Sequence, residues 1–206
     1  MNINLIFPNQ LFEKSIAFKN SNITFLIEEY LFFNQFKFHK QKILFHRDSM
    51  INYYSFLKNE GLEVKYINSY EKESDVRVFL KSINIKEINI YNPVDNWLEK
   101  RIVSSCLKEN IKINIHENPL FLTKKSELTP FFSPTKKKLF QTTFYKNQRI
   151  KFNVLLNNEN KPDGGKWTYD DLNRKKYPKN KQTPIIDYSF LKSCLLYTSD
   201  AADELR

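Results

Sequence analysis

Short apolar runs alternate with helix-patterned stretches from the first residues to about Ile115, and this alternation constrains the fold more than any other feature of the chain. Residues 2–7 and 23–28 are continuous apolar runs, the pattern of strands covered on both faces. From His39 to Asn59 the period turns helical, with Ile43, Met50, Tyr54 and Leu57 on one face, and Gly61 stands where a helix C-cap needs a left-handed residue. Leu62–Ile67 reads as a strand and Ser74–Ile83 as a helix capped by Ser74 or Asp75. Lys86–Tyr91 is a further strand, Asp95 caps a helix running to Glu109, and Ile111–Ile115 closes the series. Tyr30–Phe38 is aromatic and fits neither period. Strand, crossover, strand at this spacing predicts an α/β domain of roughly 120 residues: a doubly wound, mainly parallel five-stranded sheet, Rossmann-like or flavodoxin-like.

Beyond residue 122 the character changes. Lys124, Lys125 and Lys136–Lys138 surround Pro130 and Pro134, and Leu139–Leu156 reads as a basic amphipathic helix within a connecting segment, 123–160. Residues 161–192 read as a linker. The Pro162-Asp163-Gly164-Gly165 turn opens it, and Asp171–Pro184 is dense in Lys, Asn and Pro. Residues 193–206 contain the Ala201-Ala202 pair in a chain otherwise almost without alanine, and are set aside as a non-native tail.

No apolar run nears the ~20 residues of a membrane-spanning helix, and the start has neither a basic segment nor a cleavage site, so the expectation is a cytoplasmic protein. Two cysteines, Cys106 and Cys194, are too few for a disulfide framework or a cysteine-ligated cluster. The net charge of +10 suits a polyanion such as DNA. It also follows from the abundance of Lys beside Asn, Ile, Phe and Tyr that AT-rich codons produce.

Open α/β sheets bind ligands beyond the carboxyl ends of their strands. Pro8, Asn9, Gln10 and Leu11 fall there after the first strand, Glu28 and Glu29 after the second, and Tyr91, Asn92 and Pro93 after the fourth. Amides and a carboxylate of this kind can hydrogen-bond a polar heterocycle. Equally, Asn9 and Gln10 can satisfy a turn while Glu28 stays solvated. The only glycines are Gly61, Gly164 and Gly165, none after the first strand, which argues against a dinucleotide or P-loop site. His39, His46 and His116 are too scattered for a metal site, and no Ser-His-Asp arrangement is evident, so no catalytic residue is expected here.

Five strings then carry a resemblance. They are Pro8-Asn9-Gln10-Leu11; Phe38-His39-Lys40-Gln41-Lys42-Ile43 with the residues to Met50; Asn96-Trp97-Leu98-Glu99-Lys100-Arg101; Thr143-Phe144-Tyr145-Lys146-Asn147-Gln148-Arg149; and Gly164-Gly165-Lys166-Trp167 through Asn173-Arg174-Lys175. In this order they resemble the deoxyribodipyrimidine photolyase-related proteins, which include iron–sulfur (6-4) photolyases and cryptochrome relatives. The resemblance implies the amino-terminal part of a longer light-driven DNA-repair lyase. An antenna chromophore of the ribityl-lumazine type would be held here by Asn9, Gln10, Glu28, His39, Lys40 and Lys42. FAD and an iron–sulfur cluster would reside in a carboxy-terminal helical domain absent from this chain, and DNA would be bound by the full-length parent. Pro8-Asn9 stands where many relatives have Gly-Asp, and Phe38 replaces the first of two histidines. A blue-light photoreceptor with the same domain, and a stand-alone basic DNA-binding module, are the alternatives.

Overall fold

A computed structural model describes residues 1–133, 135–169, 173–185 and 187. The chain divides into two compact units, Met1–Phe121 and Leu122–Phe190; the expected tail at 193–206 and Cys194 lie outside the described residues.

In the first unit five parallel strands are β1 (Asn2–Ile6), β2 (Ile23–Ile27), β3 (Val64–Ile67), β4 (Glu87–Tyr91) and β5 (Lys112–His116). Their order, β3-β2-β1-β4-β5, is the Rossmann order rather than the flavodoxin one. β1 is central, and Ile3, Leu5, Ile6 and the following Phe7 are fully buried, as its unbroken apolar run requires.

Helices cover both faces. The one-turn helix α1 (Tyr30–Phe33) is built from the aromatic stretch that fitted neither period. α2 is Lys40–Asn59, α3 Val76–Ser82 and α4 Asn96–Lys108. Ile3, Leu5, Ile27 and Ile88 pack with Phe79 and Leu80 of α3 and Leu98 and Ile102 of α4 on one face. Ile6, Leu26 and Val64 pack with Met50, Tyr53 and Leu57 of α2 on the other. Tyr53, rather than Tyr54, is the aromatic that α2 buries most deeply.

The ends of these helices follow from local chemistry. Asp75 accepts from the Arg77 N–H, and Asp95 from those of Trp97 and Leu98, satisfying donors the first helical turn leaves free. Lys72–Ser74 forms a separate 3-10 turn, so Asp75 and not Ser74 is the cap. At the end of α2, Gly61 takes φ +79° while the Gly61 N–H donates to Lys58 O and the Leu62 N–H to Leu57 O. This Schellman closure delays β3 to Val64, two residues later than its apolar run suggested.

A polar stripe crosses the α2 face of the sheet. Thr24, Asn4, Asn89 and Asn114 are in register on four adjacent strands. Asn4 Nδ2 donates to Thr24 Oγ1 at 3.1 Å, Asn114 Nδ2 donates to Asn89 Oδ1 at 3.2 Å, and His116 Nε2 lies 3.3 Å from the same oxygen. A one-residue slip of any strand would turn its asparagine into the opposite, apolar core, so the stripe pins the register.

The second unit contains α5 (Lys125–Leu128) and α6 (Gln141–Phe152). α6 is shorter than the expected Leu139–Leu156, because Asn153 turns left-handed at φ 50° and stops it. Arg149 is buried and donates to the carbonyls of Val154, Leu155 and Trp167, with its guanidinium 5.3 Å from the Trp167 ring. The start of the expected linker thus folds back on α6. Residues 173–185 are exposed and lack helix or strand.

Candidate functional site

The strand order reverses direction between β1 and β4, the point beyond whose carboxyl ends open α/β sheets take ligands. The chain leaving β1 makes a tight turn there, with the Gln10 N–H donating to Phe7 O at 2.9 Å. Gln10 is fully buried, and its Nε2 donates to Tyr91 O at the end of β4. Gln10 Oε1 and Asn9 Oδ1 are buried with no hydrogen-bond partner. Each such orphan costs about 1–3 kcal/mol unless a donor meets it.

At the same end of the sheet, a cleft of about 560 Å³ opens between the chain following β2 and that following β4. Phe32, Phe36, Phe38 and Trp97 form its aromatic walls, with Gln35, Lys42 and Asp95 as polar groups. Lys42 Nζ sits 3.4 Å from the Phe38 ring centroid, a cation–π contact that holds the ammonium at the rim.

Two adjacent carboxylates, both fully buried, close β2. Successive residues of a strand face opposite ways, so Glu28 turns with Leu26 toward α2 and Glu29 with Ile27 toward α3 and α4. Glu28 is completely engaged. Oε1 accepts from Arg47 Nε (2.7 Å) and Tyr66 OH (2.8 Å), and Oε2 from Arg47 Nη2 (2.7 Å) and the Ser69 N–H (2.8 Å). Burial pushes its carboxyl up, but the bonds from Arg47, Ser69 and Tyr66 outweigh this and hold it below the usual carboxylate range.

Glu29 is half engaged. Its Oε2 caps α1 by accepting from the Leu31 N–H at 2.6 Å. Its Oε1 has no hydrogen-bond partner, nor has Arg101 Nη1, 3.8 Å away. Burial here dominates, and the Glu29 carboxyl is pushed up to about 7. Arg101 Nη2 donates to Gln35 Oε1 at 3.2 Å, which links this buried pair to the cleft.

The sequence-expected residues therefore separate. Asn9 and Gln10 stand at the switch point with free acceptors, and Lys42 lines the cleft. His39 caps α2, its Nδ1 accepting from the Gln41 N–H, and Lys40 is exposed; neither lines the cleft. Glu28 is not solvated, and four donors occupy its oxygens. Sequence reasoning placed Glu29 at the strand end without naming it as a site residue, and gave no role to Gln35, Trp97 or Arg101. The signal available was the Glu28-Glu29 pair ending an apolar strand, where two carboxylates must be treated differently. Among the described residues no group of three or more His, Cys, Asp and Glu side chains gathers to hold a metal ion, and no helix is long and apolar enough to cross a membrane.

Comparison with known proteins bears on residues of both units. The family model described as deoxyribodipyrimidine photo-lyase-related protein matches residues 4–190. The chain is similar to Uncharacterized protein R852 of Acanthamoeba polyphaga mimivirus, 35% identical over 188 residues that cover 86% of this chain and 95% of that relative. It is also similar to the (6-4) photolyase of Agrobacterium fabrum, 25% identical over 142 residues. That match covers 66% of this chain and only 28% of the photolyase.

Proposed function

Since the chain belongs to the deoxyribodipyrimidine photolyase-related family, we propose that its first unit is the pigment-holding part of a light-driven DNA-repair flavoprotein. The observation that carries this reading is the pair of orphaned acceptors, Asn9 Oδ1 and Gln10 Oε1, at the switch point. Buried acceptors without partners call for the N–H or O–H donors of a polar-edged ligand. The aromatic cleft at the same end of the sheet, which neither Asn9 nor Gln10 lines, supplies flat walls for a planar ring system, and Lys42 supplies a cation at its rim.

An antenna pigment of the ribityl-lumazine type fits this donor and acceptor set. When bound, such a pigment absorbs near-ultraviolet or blue light. The residues of this chain orient its polar edge and shield one ring face from water. Glu28 serves by fixing Arg47 and with it the first half of α2, from which Lys42 projects. FAD, an iron–sulfur cluster and the lesion-splitting chemistry fall, on this reading, to a carboxy-terminal helical domain outside the chain. Two cysteines in the whole sequence are too few to ligate such a cluster. On this reading the residues of this chain hold the pigment and break no bond themselves.

DNA as partner is favoured by where the charge lies. Residues 122–190 carry 15 basic against six acidic residues, whereas residues 1–121 carry 16 against 14. Cation density of this kind in one unit suits a phosphate backbone. Replacing Lys136, Lys137 and Lys138 by alanine is expected to reduce the salt slope of duplex binding by about 2–3. An unchanged slope removes the DNA part of the reading.

The direct test is absorbance. Purified protein should carry a band in the near-ultraviolet or blue, or acquire one when 6,7-dimethyl-8-ribityllumazine is added, and Gln10→Leu should weaken that uptake. No uptake by the folded wild-type protein would sink the pigment reading.

A further inference from the structure

Beneath the cleft lies a buried ion pair that is left incomplete. Glu29 Oε1 and Arg101 Nη1 face each other at 3.8 Å, beyond hydrogen-bonding reach, and both atoms are shut from solvent, with only the Val76 N–H also pulling the Glu29 carboxyl down. Trp97 and Arg101 are one helical turn apart on α4, so the residue that walls the cleft and the one that carries the buried cation share a helix face. Gln35 belongs to both places, lining the cleft while its Oε1 accepts from Arg101 Nη2. A cation held this way is compensated only as far as Glu29 is charged.

We propose that Glu29 is a proton-operated control on the cleft, releasing the positive charge of Arg101 toward an anionic aromatic ligand when it is protonated and cancelling that charge when it is ionised. The proposal rests on the cleft being a ligand site and adds the charge class of its ligand and the regulation of its affinity. Burial places the Glu29 proton exchange near neutrality, where a cell's pH can move it. The other charged and titratable groups around Glu29 are Asp75 and Arg77 at the start of α3, which pair with each other, and the Tyr30 phenol of α1, whose ring lies 5.9 Å from the Arg101 guanidinium. Asp75 and Arg77 are joined by a short ion pair that moves little net charge over the same range. Glu29 is thus the group whose charge changes.

The experiment, run throughout in a Trp167→Phe background that leaves Trp97 as the emitting tryptophan, compares a permanently anionic probe, 1-naphthalenesulfonate, with its neutral analogue 1-naphthalenesulfonamide, by quenching of emission at about pH 6 and about pH 8.5. The anion should bind about 5-fold or more tightly at the lower pH, and the sulfonamide equally at both. Glu29→Gln should bind the anion at both pH values as tightly as the wild type does at the lower one. Arg101→Met should bind it weakly at both. A histidine within α2, His46, packs on Phe32 of α1 and would also favour an anion in acid. A pH dependence that survives intact in Glu29→Gln therefore overturns the proposal, as does equal binding of the anion by the wild type at both pH values. If neither probe binds at either pH, the cleft reading fails by itself. The control is then read from the ligand-free protein, whose Trp97 emission should titrate near neutrality in the wild type and not in Glu29→Gln; a flat wild-type profile overturns it.

Discussion

Glu28 and Glu29 are neighbours in the chain, both fully buried, and shifted in opposite directions. The α2 side of β2 offers Glu28 four donors, two of them from one guanidinium in fork geometry. Glu29 receives one short backbone bond from the Leu31 N–H of α1, and on the α3–α4 side only a weaker pull from the Val76 N–H and an arginine set too far off to donate. The lesson is that burial alone does not set a carboxylate's behaviour; the count of donors reaching it does. A saturated carboxylate acts as a structural anchor. A starved one stays sensitive to protons and to ligands.

The largest effect expected from breaking this contrast is on the saturated side. Glu28→Ala should cost about 3–5 kcal/mol in urea unfolding at neutral pH, because it strips partners from Arg47, Tyr66 and the Ser69 N–H together. The stabilisation from this depressed carboxyl is fully present above its ordinary value of 4.5, and is lost as pH falls through the lower folded value. The gap between wild type and variant should close in acid. A deficit that stays constant with pH would show that lost packing, not charge, is responsible.

The starved side should respond next, with the opposite sign. A carboxyl raised to about 7 favours the folded state below its ordinary 4.5, and that advantage disappears as pH rises through about 7. Glu29→Gln should therefore match the wild type in acid and exceed it by roughly 3 kcal/mol above neutrality. Equal stability of the two proteins above neutrality would mean that Arg101 compensates Glu29 fully across the 3.8 Å gap.

The smallest change sharpens the comparison. Tyr66→Phe removes one of the four bonds to Glu28 and should cost about 1.5–3 kcal/mol, as for a hydrogen bond to a charged group. The same substitution should raise the Glu28 titration midpoint, measured by the side-chain carbonyl resonance. No movement of that resonance would assign the depression to Arg47 and Ser69 alone.

The Rossmann-type plan was open to reading because apolar period is a local property. The buried run from Ile3 to Phe7, the helical face of α2 and the caps at Asp75 and Asp95 each depend on residues within a few positions of one another. Strand order was not open to reading: the same alternation suits flavodoxin-like and Rossmann orders, and only pairing across the sheet separates them. The site was legible in part. Asn9 and Gln10 could be placed because the ends of parallel strands are where ligands go, whereas Lys42 was named only through the resemblance of its string. Glu28 could be placed at the carboxyl end of β2, but the donors that fill its oxygens come from Arg47, Tyr66 and Ser69, which lie 19 to 41 residues further along. The asparagine stripe was equally hidden, since Asn4, Asn89 and Asn114 meet only through register.

Local patterning of apolar and capping residues was thus sufficient to dictate the five strands and the helices α2, α3 and α4, though not α1 or the end of α6, and the quoted strings sufficient to place the chain in its family. The tertiary structure alone settled what each buried polar group faces. Hydrogen-bond partners of Glu28 and Glu29 come from remote segments, and a residue's partner, unlike its periodicity, is a property of the packed whole.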